Sequence, residues 1–164
     1  MKYIVVVLFF LIMSSSNAAN LEKKLSSSNI PVHITADKLV AFDKKGLYKF
    51  SGNVVATRKD VKLTAANMVV KKNIKTGKII QIVCTKNVVI TKENKTAKGD
   101  KAIYENLLDR VTLIGNASVT SDKNKITSDK IIYYINKDYA ISQSDNGKKR
   151  VSVTIYPDKK KEKK

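Results

Sequence analysis

Side chains equipped for chemistry are scarce in this chain. Among 164 residues there is one histidine, His33, and one cysteine, Cys84. An imidazole works as a base on a partner nucleophile, and no serine or cysteine motif accompanies His33. Cys84 sits in the apolar run Ile82-Val83-Cys84, where a thiol serves as a small hydrophobe rather than a redox group. Asp37, Asp100 and Asp129 each follow a small residue, an arrangement that some solenoids use for calcium. Calcium takes about six to eight oxygen ligands, which one carboxylate per repeat cannot supply. Aspartates so placed are expected to accept backbone hydrogen bonds at a corner of the chain. The residues therefore imply a protein that is no enzyme and needs neither metal nor cofactor.

What must position these residues is a single domain with one core, for which the length and the 43% apolar content suffice. Two prolines, six glycines, one cysteine and no tryptophan exclude collagen-like, disulfide-framework and zinc-cluster architectures. Charge is lopsided, with 32 Lys+Arg against 14 Asp+Glu and a formal net charge of +18. Nucleic acid is a poor match, because the lysines are scattered along strands with no aromatic residues interleaved on the outer face.

Met1-Lys2, the apolar run Tyr3 to Met13 and the small residues Ser16 and Ala18 form a secretory signal peptide pattern, with cleavage after Ala18 or Ala19. A bilayer-spanning helix needs about 20 apolar residues, more than this run offers. Residues 1–18 are read as the signal peptide, 19–29 as a flexible segment, 30–157 as the folded domain and 158–164 as a Lys-rich disordered tail. Export, a lone cysteine and no lipidation cysteine beside the cleavage site describe a periplasmic or extracellular protein.

From Pro31 onward, short alternating runs rich in Val, Ile, Thr and Tyr are separated by polar turns, so the fold is predicted to be all-β. An internal repeat organises them. Small-Asp markers fall at 37, 100 and 129, with Ala66 a degenerate copy, and Asn markers fall at Gly52-Asn53, Lys86-Asn87 and Gly115-Asn116. Asp-to-Asn steps are 16, 21 and 16 residues and each onward step is 13, which defines a unit of 29 with five extra residues lodged around Lys72 to Gly77.

Apolar parity repeats with the unit. Around the small-Asp markers the inward sets are Ile34, Ala36, Leu39, Ala41; Leu63, Ala65, Met68, Val70; Ala97, Gly99, Ala102, Tyr104; and Ile126, Ser128, Ile131, Tyr133. Around the Asn markers they are Tyr48, Phe50, Val54, Ala56; Ile82, Cys84, Val88, Ile90; and Val111, Leu113, Ala117, Val119. Strict alternation cannot hold both sides of a marker on one face, so each marker must be a bulge or corner that shifts the pleat by one. About four such units stack into bent strand pairs, with an outer face carrying Lys38, Lys49, Lys62, Lys98, Lys101 and Lys130.

The strings Ile30-Pro31-Val32-His33-Ile34-Thr35-Ala36-Asp37, Phe50-Ser51-Gly52-Asn53-Val54, Leu113-Ile114-Gly115-Asn116-Ala117, Thr127-Ser128-Asp129-Lys130-Ile131 and Ser144-Asp145-Asn146-Gly147-Lys148-Lys149-Arg150-Val151 resemble the LptA (OstA-like) family. The resemblance runs from about Ile30 to Pro157. It departs from the family pattern at Ala66 in place of Asp, at Lys86 in place of Gly, and in the lysine-rich tail.

The resemblance implies an open, twisted β-jellyroll, or β-taco, in the periplasm of a Gram-negative bacterium, with lipopolysaccharide acyl chains held in an apolar groove. Groove-lining candidates are Val32, Ile34, Ala36, Tyr48, Phe50, Val54, Leu63, Ile82, Val88, Ala102, Tyr104, Val111, Leu113, Ile131 and Tyr133. Implied partners are lipopolysaccharide, further copies stacked head to tail, a membrane-anchored bridge partner at the inner membrane and a β-barrel translocon at the outer membrane. The lysine excess either draws head-group phosphates or is solvated surface charge. Two rival readings are a structural β-solenoid or adhesin-like module without lipid, and the membrane-anchored member of the same system, which would retain residues 1–18.

Overall fold

The computed structural model describes residues 31–137, 139–145 and 150–157; the expected signal peptide, the segment 19–29 and the tail 158–164 lie outside the described residues. Ten strands form one antiparallel sheet: β1 His33–Thr35, β2 Lys38–Phe42, β3 Leu47–Arg58, β4 Val61–Lys72, β5 Ile79–Lys92, β6 Lys95–Glu105, β7 Arg110–Ser121, β8 Asn124–Tyr134, β9 Tyr139–Gln143 and β10 Ser152–Thr154. Strands β3 to β8 pair in sequence order. β1 and β2 both pair with β3 and are two halves of one edge row; β9 and β10 do the same on β8. Tight turns at Lys59-Asp60, Glu93-Asn94 and Asp122-Lys123 reverse the chain, with left-handed φ of 53°, 51° and 53° at their first residues.

Each long strand bends at the markers that the repeat defines. Register shifts occur between Ser51 and Val54, Thr64 and Asn67, Thr85 and Val88, Lys98 and Lys101, and Ile114 and Ala117. Strands β3, β5 and β7 spend one residue more than their neighbours at each crossing, the signature of a bulge. Two consecutive left-handed residues make the bulge, with φ of 78° and 45° at Gly52-Asn53, 65° and 55° at Lys86-Asn87, and 74° and 47° at Gly115-Asn116. Aligned across the sheet, these bends fold it along one line into two arms. Residues of both arms, such as Leu63 and Ile90 on one and Phe50 and Ile82 on the other, pack on a single core.

The marker aspartates have a more specific partner than the expected backbone amide. Asp37 Oδ2 accepts a hydrogen bond from Asn53 Nδ2 at 3.0 Å, and Asp100 Oδ2 accepts one from Asn116 Nδ2 at 2.9 Å. At Asp129 the backbone serves, through the Asp145 N–H at 3.1 Å, with Ser144 Oγ donating at 3.2 Å. The 16-residue step in the sequence is thus the separation of hydrogen-bonded side chains.

The same geometry accounts for both departures in the second unit. A Cβ on Gly52 would stand 2.8 Å from the Asp37 Cβ, and one on Gly115 would stand 3.0 Å from the Asp100 Cβ. A side chain at the glycine position therefore collides with the aspartate. Where Ala66 replaces the aspartate the obstruction is gone, and Lys86 occupies the left-handed position with φ 65°. By the geometry of the other two units, an alanine at 66 and a side chain at 86 are sterically compatible.

All ten buried hydrophobic residues (Val54, Ala65, Met68, Val70, Cys84, Val88, Ala102, Leu113, Ala117 and Ile131) occupy inward positions of the repeat. The all-β, open and curled jellyroll architecture is the one expected. Leu39 and Ala41 share that parity but stay exposed, because β2 is an edge with no strand beyond it. Ile79 joins the core outside the parity rule, because the register shifts again between Lys71 and Lys72 where the five-residue insertion loops out.

Burial pushes the Cys84 thiol from 9.0 up to about 12. Between those values the unfolded chain releases a proton that the folded chain keeps. The stabilisation is therefore complete below pH 9.0 and lost as pH rises toward 12, by about 1.4 kcal/mol per unit. Urea melts of wild type and Cys84→Ala should differ by less and less over that interval; a constant difference would show that the thiol is hydrated.

Candidate functional site: the interior between the arms

Strand pairing aligns inward residues into rows that run from one edge of the sheet to the other. Nearest the fold line, Ala36, Val54, Ala65, Val88, Gly99, Ala117 and Ser128 are small, which lets the arms approach. Next on the first arm come Leu39, Phe50, Met68, Cys84, Ala102, Leu113, Ile131 and Ser142. Beyond them lie Ala41, Tyr48, Val70, Ile82, Tyr104, Val111, Tyr133 and Ala140. On the second arm the facing row is Ile34, Ala56, Leu63, Ile90, Ala97, Val119, Ile126 and Val153. Apolar side chains thus dominate these four rows, which are interrupted at Ser128 and Ser142, hydrogen-bonded to each other through their hydroxyls at 2.8 Å.

Burial is deepest beside the fold line on the central strands. Val54, Cys84 and Val88 are 1% exposed and Met68 is 2%, so the seam is filled by protein. Tyr48, Phe50, Ile82, Tyr104, Val111 and Tyr133 are only half-buried. The tyrosine rings face inward while their hydroxyls reach the rim: Tyr48 donates to Asp43 Oδ1 at 2.8 Å and Tyr104 to Asn106 Oδ1 at 2.9 Å. Lys72 Nζ caps the Tyr48 ring 4.6 Å from its centroid. The phenol of Tyr104 titrates above its ordinary value, chiefly through burial and secondarily beside Asp109, while Arg58 opposes the shift. Arg58 stands on the second arm, at the outer end of β3.

Of the fifteen sequence-derived candidates, eleven meet in this cluster: Ile34, Ala36, Tyr48, Phe50, Val54, Leu63, Ile82, Val88, Ala102, Leu113 and Ile131. Tyr104, Val111 and Tyr133 extend the Tyr48 row by direct pairing. Val32 lies ahead of β1 and is 41% exposed. Sequence reasoning missed the polar end of the second arm, where alternation turns Arg58, Lys95, Ser121 and Asn124 to the interior side. Their signal was present in the period of two, hidden by the turns beside them. It also missed an apolar row on the outer side of the first arm, Val69, Val83, Ile103 and Ile132, interrupted by Thr112. Lys38, Lys49, Lys62 and Lys98 are exposed and Lys101 and Lys130 half-buried, all on the outer side. Among the described residues no group of three or more His, Cys, Asp and Glu is placed to hold a metal ion.

A one-sheet jellyroll folded about a line of bulges, with an apolar interior and split edge rows, is a structural and binding scaffold. The family model described as "LptA/(LptD N-terminal domain) LPS transport protein" matches residues 33–139, and the chain belongs to that family, one of transport proteins rather than enzymes. Its fold is similar to that of LptH, described as the LptA homologous periplasmic component of the conserved lipopolysaccharide transport device from Pseudomonas aeruginosa. That likeness has a TM-score of 0.68 and 24% sequence identity, and covers 78% of this chain and 96% of LptH. No curated protein matches the chain.

Proposed function

We propose that the protein is a periplasmic bridge component that carries lipopolysaccharide from the inner to the outer membrane, its acyl chains lying along the interior between the arms. The observation that carries this reading is the set of apolar rows that cross the sheet between its two edge rows, interrupted at the Ser128–Ser142 pair. A lipid tail on such a surface gains about 0.8 kcal/mol per buried CH₂ without needing any one specific side chain, so it can slide. Membership of the family supports the transport role.

The exposed edges suit copies joined by strand addition, since β2 and β10 are exposed along their whole lengths. In this reading the chain is exported by a cleaved signal peptide, stacks head to tail, and meets an inner-membrane-anchored partner at one end and an outer-membrane translocon at the other.

A photo-crosslinking residue at Phe50 or Tyr104, with Lys49 as the outward control, tests the cargo. Lipopolysaccharide adducts in living cells are expected at the two inward positions and absent at Lys49. A folded, exported protein that gives no adduct at Phe50 or Tyr104 would overturn the reading in favour of a structural module. The same cells report the processed mass; retention of residues 1–18 would reassign the chain as the membrane-anchored member.

A further inference from the structure

We propose that the rim formed by the hairpin loops of the first arm is a docking edge for an anionic lipid bilayer. Four connections lie side by side there: 43–46, 73–78, 106–109 and 135–137. Backbone hydrogen bonds stitch them into one ledge, from Lys72 N–H to the Gly46 carbonyl at 2.8 Å, Asn106 N–H to Ile80 at 3.0 Å and Ile135 N–H to Asp109 at 2.8 Å. The 73–78 loop is itself braced, because the Asn73 carboxamide oxygen accepts the Lys75 and Thr76 amides at 2.9 and 3.0 Å. The five residues inserted into the second unit therefore build a defined projection.

Two properties coincide on this ledge. Large apolar side chains project from it into solvent: Leu107 is 93% exposed, Ile74 62%, Leu108 49%, Phe42 39% and Tyr139 38%. Lys44, Lys45, Lys71, Lys75, Lys78 and Lys137 are exposed among them. Among the described residues of the ledge, Asp43 is engaged with Tyr48 and Glu105 with Arg110, leaving Asp109. The opposite rim is also basic, with Lys92 Nζ 3.7 Å from Asp60, but its turns at 59–60, 93–94 and 122–123 carry no exposed large apolar residue; Ile155 and Tyr156, exposed there, lie at the sheet edge beside Asn124.

Charge complementarity and shape select the occupant. Lysines at a surface are drawn to anionic lipid head groups, and projecting leucine and isoleucine side chains insert at the boundary between head group and acyl chain. The prongs stand on alternate connections, about 10 Å apart across two strand spacings. They are separate exposed side chains spread along the ledge, which suits a fluid partner better than a second folded surface with its clustered, packed anchors. The inference is independent of the cargo reading, since it concerns the outside of one rim.

The test is co-sedimentation of the full mature chain with vesicles of phosphatidylglycerol and phosphatidylcholine, and of phosphatidylcholine alone. Binding is expected only with phosphatidylglycerol, weakening as salt rises. L107S/L108S should weaken it by at least about tenfold, the order expected from withdrawing two leucines from lipid. K59S/K123S on the opposite rim, an equal loss of charge per pair as K75S/K78S, should have less effect than K75S/K78S. Unchanged circular dichroism and melting temperature verify that these exposed positions leave the fold intact. Absence of binding to phosphatidylglycerol vesicles at low salt would overturn the proposal, as would L107S/L108S binding like wild type, which would assign the affinity to net charge or to the lysine tail.

Discussion

Gly115→Ala is expected to lower stability by about 2–5 kcal/mol, and to cost only about 1–2 kcal/mol when Asp100 is also alanine. Two separable penalties meet at Gly115. An L-residue forced to φ 74° is strained by about 1–2 kcal/mol whatever surrounds it. The added Cβ would also stand 3.0 Å from the Asp100 Cβ and closer still to its carboxylate, an overpacking penalty of about 1–3 kcal/mol that the alanine background removes. Asp100→Ala alone loses an exposed hydrogen bond to Asn116, worth about 0.5–1.5 kcal/mol. The coupling should appear in a double-mutant cycle by urea denaturation. The second unit supplies the reciprocal experiment: Ala66→Asp should destabilise beside Lys86 and be tolerated with Lys86→Gly. Additive losses at Gly115 and Asp100 would show that backbone strain alone selects glycine.

The second large effect concerns Met68. Met68→Ala should cost about 2–5 kcal/mol, the range for deleting a buried methionine, with the midpoint of unfolding displaced and its slope unchanged. Met68 is 2% exposed in the middle of β4 and lies between Phe50 and Cys84 in the row next to the fold line. Residues of both arms pack on this one core, so neighbours on both lose contacts together. Leu39 lies in the same row at the edge, 52% exposed, and Leu39→Ala should change stability by less than about 0.5 kcal/mol. Equal losses at the two sites would mean that the row does not pack in the graded way its exposures imply.

Those two residues also mark how far sequence reasoning reaches in this molecule. Inward parity was legible because one face is buried and the unit recurs, so a slip at any marker would have turned every following residue outward. Parity fixes direction, however, and burial needs a neighbour; Leu39 has the direction and lacks the neighbour. The 16-residue step was visible, while its meaning as an Asp–Asn side-chain pair was not, since backbone amides and carboxamides are alternative donors to the same carboxylate. Val69, Val83, Ile103 and Ile132 on the outer side show the opposite failure, apolar residues where alternation predicts polar ones. The exposed Leu107-Leu108 turn left no signal either, because an apolar pair between two strands reads as strand until the hairpin is placed.

The repeated bend has a consequence for size. Because each bulge inserts its extra residue at the same level of every strand, the cross-section of the trough is set by the bend and its length only by the number of rows. Eight rows make a trough about 34 Å long, and each further unit would extend it by about 10 Å with the profile unaltered. Such a body behaves as an extrusion: duplication or loss of one 29-residue unit changes its reach and leaves the lining the same. Length is metered in units of two strands, and a span between two fixed points can be matched by counting them.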